Sequence, residues 1–105
     1  MSDEPFYMLN ALWFKPDGGK ERYLEYMKQV GPIVAKYGGS MASDAYIPEQ
    51  AFIGEFDADL VFFVRWPSFS VFTEFVNDSE YAPVKAIREE AITKSLLIKC
   101  KLHAN

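Results

Sequence analysis

The sequence predicts an α+β sandwich: one antiparallel four-stranded sheet carrying helices on a single face. Three observations carry that expectation. Residues 60–64, Leu-Val-Phe-Phe-Val, form an unbroken apolar run rich in β-branched and aromatic side chains, the mark of a strand covered on both faces. Tyr23, Met27, Val30, Val34 and Tyr37 recur at spacings of four, three, four and three, the stripe of an amphipathic helix. Along the chain, segments of the two kinds follow in the order strand, helix, strand, strand, helix, strand.

The first strand is read at residues 6–14, where Tyr7, Leu9, Ala11 and Trp13 alternate with Phe6, Met8, Asn10, Leu12 and Phe14. Both faces are apolar apart from Asn10. Residues 15–19, Lys-Pro-Asp-Gly-Gly, have the chemistry of a turn that leads into a helix. That helix is expected over 20–37, kinked at Gly31-Pro32, because proline removes one backbone hydrogen bond and crowds the preceding turn. Gly38-Gly39 supplies the positive φ that ends it. A second strand is expected over 40–47 and 51–56, bent near Pro48, and residues 57–59 turn the chain into a third strand ending at Trp66. Ser68 is placed to cap a helix holding Phe69, Phe72, Phe75 and Val76. After a break at Asn77-Asp78-Ser79, Pro83 suits the first turn of a further helical piece running to about residue 94. The last strand is expected over 96–103, with Leu96, Ile98 and Cys100 alternating against Leu97, Lys99, Lys101 and His103.

With right-handed crossovers this order gives a ferredoxin-like βαββαβ sandwich in a single domain spanning 1–105. The face without helices still carries apolar side chains, assigned here to Phe6, Met8, Leu12 and Phe14 with Val61 and Phe63. Each gains roughly 1.5–3 kcal/mol on burial. A second copy packed sheet against sheet is therefore expected, making a homodimer. Nine Phe, six Tyr and two Trp in so small a chain point the same way.

Fifteen acidic residues against eleven basic ones give a net charge of −4, which argues against nucleic acid or an anionic membrane as a partner. No apolar run is long enough to span a bilayer, and the opening Met-Ser-Asp-Glu-Pro lacks the features of a signal peptide. The single Cys100 excludes an intrachain disulfide and points to a reducing, cytoplasmic setting. One His and one Cys cannot make a standard zinc site. Glu49, Glu55, Asp57 and Asp59 match no calcium loop, so no metal is expected. The glycine pairs lack the context of a phosphate loop, and no Ser-His-Asp set is recognisable, which leaves catalytic residues unassigned.

Three polar residues stand out against this apolar background. Arg65 shares strand parity with Val61 and Phe63, so it belongs to the face away from the helices. It reads either as a clamp for a carboxylate or enolate, or as half of a salt bridge at the dimer edge. His103 is the one side chain that exchanges protons near neutrality unaided, and it reads either as a partner of Arg65 in a cleft or as a solvated residue near the chain end. Asn10, in mid-strand, orients a substrate or water, or hydrogen-bonds across the dimer. Tyr23 and Tyr37 are read as core, and Cys100 as inert core.

An ordered set of short matches adds to this reading. Tyr23, Tyr26 and Pro32 precede Lys36-Tyr37-Gly38-Gly39, and Ile53-Gly54 precedes the third strand. Trp66-Pro67-Ser68 is followed by Ser79-Glu80-Tyr81 and then Arg88. Together they resemble the bacterial family called domain of unknown function 1330, within the dimeric α/β-barrel superfamily, over about residues 7–102. Ser40 and the stretch Phe72, Phe75, Val76 depart from the family pattern. The resemblance implies a ferredoxin-like fold and a dimer, and it adds Tyr81 and Arg88 as matching positions that read either as facing a pocket at the helix–sheet edge or, for Tyr81, as packing on its neighbour segment. It implies no established activity, since the superfamily holds cofactor-free monooxygenases, isomerases, haem-dependent enzymes and proteins without known chemistry. The expected function is a small homodimer binding a small organic ligand, anionic or aromatic, in a cleft at the dimer, without a cofactor. The alternative is a cofactor-independent enzyme of the monooxygenase or isomerase type.

Overall fold

Residues 3–103 are described in the computed structural model. In chain order they form β1 (Phe6–Phe14), α1 (Gly19–Lys36), β2 (Ser40–Met41), β3 (Leu60–Trp66), α2 (Phe69–Val76), α3 (Tyr81–Ala91) and β4 (Ile92–Cys100). The strands are all antiparallel, in the spatial order β2-β3-β1-β4. This is the expected ferredoxin-like α+β sandwich, with the second helical region split into α2 and α3. Its shortest dimension, 19 Å, fits a sheet with one layer of helices and nothing on its other side.

Register decides what each face carries. Residues directly opposite in an antiparallel pair share a face. Tyr7 lies opposite Arg65, Leu9 opposite Phe63 and Ala11 opposite Val61; on the other flank of β1, Leu9 meets Ile98 and Ala11 meets Leu96. Those residues make the open face. Phe6, Met8, Asn10 and Leu12 point the other way and are buried beneath the helices with Phe62 and Trp66. The expectation that placed Phe6, Met8, Leu12 and Phe14 on the open face with Val61 and Phe63 is therefore corrected. Both parities of β1 are apolar, so its pattern does not choose a side, and a shift of one residue exchanges the faces.

Helix α1 is continuous over 18 residues, so Gly31-Pro32 does not divide it. Pro32 lies on the exposed side, where the carbonyl that loses its partner can turn to water. Tyr23 and Val30 of the expected stripe are buried, joined by Tyr26 and Ile33, each one position before the expected Met27 and Val34, which with Tyr37 are only partly buried. Gly38, at φ 79°, ends the helix as expected. At Gly39 a Cβ would come within 2.6 Å of Val34 and 3.1 Å of Trp66, so glycine lets the helix end close down on β3.

The second strand is far shorter than expected. Only Ser40–Met41 pair regularly with β3, and Tyr46 adds an isolated bridge to Val61. Between them the Ser43 hydroxyl accepts the Phe63 amide at 3.0 Å, replacing a ladder bond. Residues 51–56 form no strand. Asp57 and Asp59 tie the return of this segment to β1, accepting Trp13 Nε1 at 2.9 Å and the Phe14 amide at 2.7 Å. Ahead of these ties, Phe52 and Ile53 are 91 % and 96 % exposed.

Ser68 caps α2 as expected, its hydroxyl accepting the Val71 amide at 3.1 Å. Helix α3 ends at Ala91 and β4 begins at once, four residues earlier than expected. Consequently β4 ends at Cys100, which sits partly buried opposite Tyr7 on the open face, not in the core. No described helix is long and apolar enough to cross a membrane.

Candidate functional site

Between α1, α3 and the covered side of the sheet lies a cavity of about 240 Å³. One wall is aromatic: Trp66 packs on Phe72 and Phe75 with ring centroids 5.2 and 4.9 Å apart, and Phe75 lies 4.4 Å from Tyr81. Met8, Val30 and Phe62 extend the apolar lining, and Gly31, Ser40 and Met41 stand at its exposed rim. The rings are stacked and tilted against one another, which holds that wall in one arrangement.

The cavity also has polar lining, which adjoins the aromatic cluster at Tyr81. Asn10, Tyr23, Tyr26, Tyr81 and Arg88 all line the cavity. The Tyr26 and Tyr81 hydroxyls share a hydrogen bond of 3.1 Å across the gap between α1 and α3. Asn10 donates to the Met8 carbonyl at 3.1 Å. Arg88 forms no salt bridge among the described residues, and its Nη2 is buried with no hydrogen-bond partner. A buried donor left unpaired costs about 1–3 kcal/mol, more when charged. Tyr81 and Arg88 are seven residues apart, two helical turns, and so share the inner face of α3.

The ionisation of this lining follows from its burial. Burial pushes the Tyr23 hydroxyl well above the usual phenol range, although the neighbouring Arg88 guanidinium works against it. Burial raises Tyr26 further, reinforced by the adjacent Tyr81 hydroxyl. Both phenols are neutral donors at ordinary pH. Among the described residues no carboxylate, imidazole or thiol lines the cavity, and Arg88 is the one formal charge. Among the described residues no group of side chains is arranged to hold a metal.

A second polar cluster fixes the start of α3, and with it Tyr81. Lys36 Nζ, at the end of α1, donates to Asp78 at 2.9 Å and to Glu80 at 3.1 Å. The Tyr37 hydroxyl also donates to Asp78, whose other oxygen accepts the Glu80 amide at 2.6 Å. The Tyr37 hydrogen bond, followed by that of Lys36, holds the Asp78 carboxyl at about 2.

The candidates read from the sequence thus divide. Asn10, Tyr81 and Arg88 come together. Arg65 lies on the opposite face of the sheet, opposite Tyr7 and Ser40, and forms no salt bridge among the described residues. His103 is exposed beyond the end of β4 and lines no part of the cavity. The expected grouping of Arg65, His103 and Asn10 is not formed, because the sheet itself separates Arg65 from Asn10. The cavity also lies within one protomer, not on the open face where a dimer cleft was expected. Tyr23 and Tyr26 were missed as site residues. The available signal was the choice of Tyr over Phe on a buried stripe, since a buried hydroxyl requires a partner.

The model of the family described as domain of unknown function (DUF1330) matches residues 18–99. A protein of unknown function from Rhodopseudomonas palustris is 28% identical, with a TM-score of 0.88 over 99% of this chain and 86% of that one. A dimeric ferredoxin-like protein of unknown function from Jannaschia sp. is 10% identical, with a TM-score of 0.71 over 93% of this chain and 99% of that one. Another so described, from Thermobifida fusca, is 7% identical, with a TM-score of 0.62 over 97% and 94% of the two chains. No curated protein matches the chain. The sequence match over four-fifths of its length and the shared sandwich lead to one conclusion: the chain belongs to the DUF1330 family and has a ferredoxin-like fold.

Proposed function

We propose that this protein is a homodimer of single-domain protomers, each binding a small organic molecule in the cavity between its helices and its sheet. One observation carries the binding reading: a largely apolar cavity of about 240 Å³ is lined by a few polar groups, Asn10 from β1, Tyr23 and Tyr26 from α1, and Tyr81 and Arg88 from α3. An apolar body with a few converging polar groups is the usual composition of a small-molecule site. The dimer reading draws support from the open face, where Leu9, Val61, Phe63, Leu96 and Ile98 form an apolar layer that no described element covers. Two structural neighbours are described as dimeric, in keeping with this. The single Cys100 suits a reducing, cytoplasmic location.

Binding is favoured over cofactor-independent catalysis by the lining itself. An oxygenase or isomerase needs a group that takes a proton near neutral pH. The cavity offers only an arginine and tyrosines, two of which burial keeps protonated. The test is a thermal-shift screen of the full chain with small aryl and alkyl compounds, repeated on Val30→Phe, whose larger side chain takes up part of the cavity. A compound held at 100 times its Kd raises stability by about 2.7 kcal/mol. The expected result is a shift with the native chain that Val30→Phe loses; equal shifts in both would place the binding elsewhere.

A further inference from the structure

Resting on this reading of the cavity, we propose that its ligand is a monocarboxylate of roughly ten non-hydrogen atoms, with its carboxylate on Arg88 and its apolar body against Trp66, Phe72 and Phe75. Charge sets the first part. The buried Nη2 of Arg88 has no partner, and no protein carboxylate lines the cavity to neutralise the guanidinium. A guanidinium presents two parallel N–H groups that fit the two oxygens of a carboxylate. Because Arg88 is the one cation lining the cavity among the described residues, a monoanion balances the site and a phosphate dianion would leave charge buried without compensation. The Tyr23 hydroxyl, and whichever of the Tyr26 and Tyr81 hydroxyls does not donate within their shared hydrogen bond, are lining donors for the remaining lone pairs.

Size sets the second part. A cavity of about 150 Å³ takes benzene, with its six heavy atoms. Scaled to 240 Å³, the occupant has roughly ten. The wall of stacked rings excludes a second charge and suits an aryl or medium-length acyl body. Phenylacetate and octanoate both have this size and polarity. Arg88 takes over the anchoring role that the sequence had suggested for Arg65.

The experiment is isothermal titration of the full chain with phenylacetate, octanoate, acetate and the neutral phenylacetamide, on native protein and on Arg88→Met. Hydrogen bonds to a charged group predict that the acid binds roughly 10- to 100-fold tighter than its amide, and that Arg88→Met removes this gap. Acetate, lacking the apolar body, binds far more weakly. If Arg88→Met does not fold, Tyr23→Phe keeps the ring and removes one hydroxyl, and a loss of roughly 2- to 10-fold for the acid is expected. Acid and amide binding equally, or a gap that survives Arg88→Met, would overturn the carboxylate while leaving the apolar cavity as a binding site. Binding by none of the compounds, including the neutral one, would overturn both.

Discussion

Phe62 and Phe63 are neighbours on β3, yet they serve opposite sides of one sheet. Phe62 is 3 % exposed beneath the helices, where it joins the core and lines the cavity. Phe63 lies opposite Leu9 on the face that no helix covers. Both faces are apolar, and each carries one arginine among its apolar residues: Arg88 reaches the covered side from α3, and Arg65 belongs to the open side. The covered face is completed within the protomer except for one cavity with an unpaired guanidinium nitrogen. The open face is covered by none of the described elements. Hydrophobic patterning alone therefore does not separate a ligand site from an interface. The deciding difference is whether a second layer from the same chain has already covered the surface.

The comparison is broken most severely at Phe62. Phe62→Ala removes a fully packed ring and should lower stability by about 3–5 kcal/mol, a fall in Tm of at least roughly 10 °C for a domain of this size. Thermal unfolding measures it directly. A loss of similar size in Phe63→Ala under conditions that keep the protein monomeric would show that the two faces do not differ.

The open face is probed at Ile98, which is 46 % exposed in the protomer and opposite Leu9. Ile98→Asp leaves the isolated fold intact but buries an unpaired carboxylate in a sheet-to-sheet contact, which costs several kcal/mol. Light scattering should report about 24 kDa for the native protein, twice 12.0 kDa, and the single-copy mass for the variant, with an unchanged far-UV spectrum. A native protein that runs at single-copy mass at micromolar concentration would remove the dimer from the account.

The smallest expected effect sharpens the comparison by pH. Asp78 holds its carboxyl at about 2 against an ordinary value of 3.8, chiefly through the Tyr37 hydroxyl and then Lys36. Its folded-state value is depressed, so its contribution is complete above about pH 4 and is lost as pH falls toward 2. Asp78 itself is largely covered, but its partners Lys36 and Glu80 are exposed, so the effect is modest and screened by salt. Tm measured from pH 5 down to 2 should fall less steeply in Asp78→Asn than in the native chain. An identical slope would mean that Asp78 does not secure the α1–α3 junction in solution.

Much of this molecule could be read from its residues because the signals were local. The Ser68 cap, the turn at residues 15–19 and Gly38 with its positive φ each act within a few residues, and each appears where expected. The family matches at Tyr81 and Arg88 likewise identified two members of the cavity wall before the wall itself was visible. The failures were of another kind. The stretch 40–56 carries strand-forming residues, yet the Ser43 hydroxyl takes a ladder position and most of the segment leaves the sheet. Pro32 falls on the outer side of α1, where its missing hydrogen bond does no damage.

The order of strands and helices, the single-sided helical layer and the excess of apolar surface were determined by the sequence itself, through periodicity and turn chemistry. Which parity of β1 faces the helices was decided only by pairing with β3 and β4, because an antiparallel register off by one residue swaps every side chain to the opposite face. That one choice puts Asn10 with Arg88 and the tyrosines, and separates both from Arg65. A polar side chain acquires its function from what the folded chain places beside it, and no spacing within one strand records its neighbours on another.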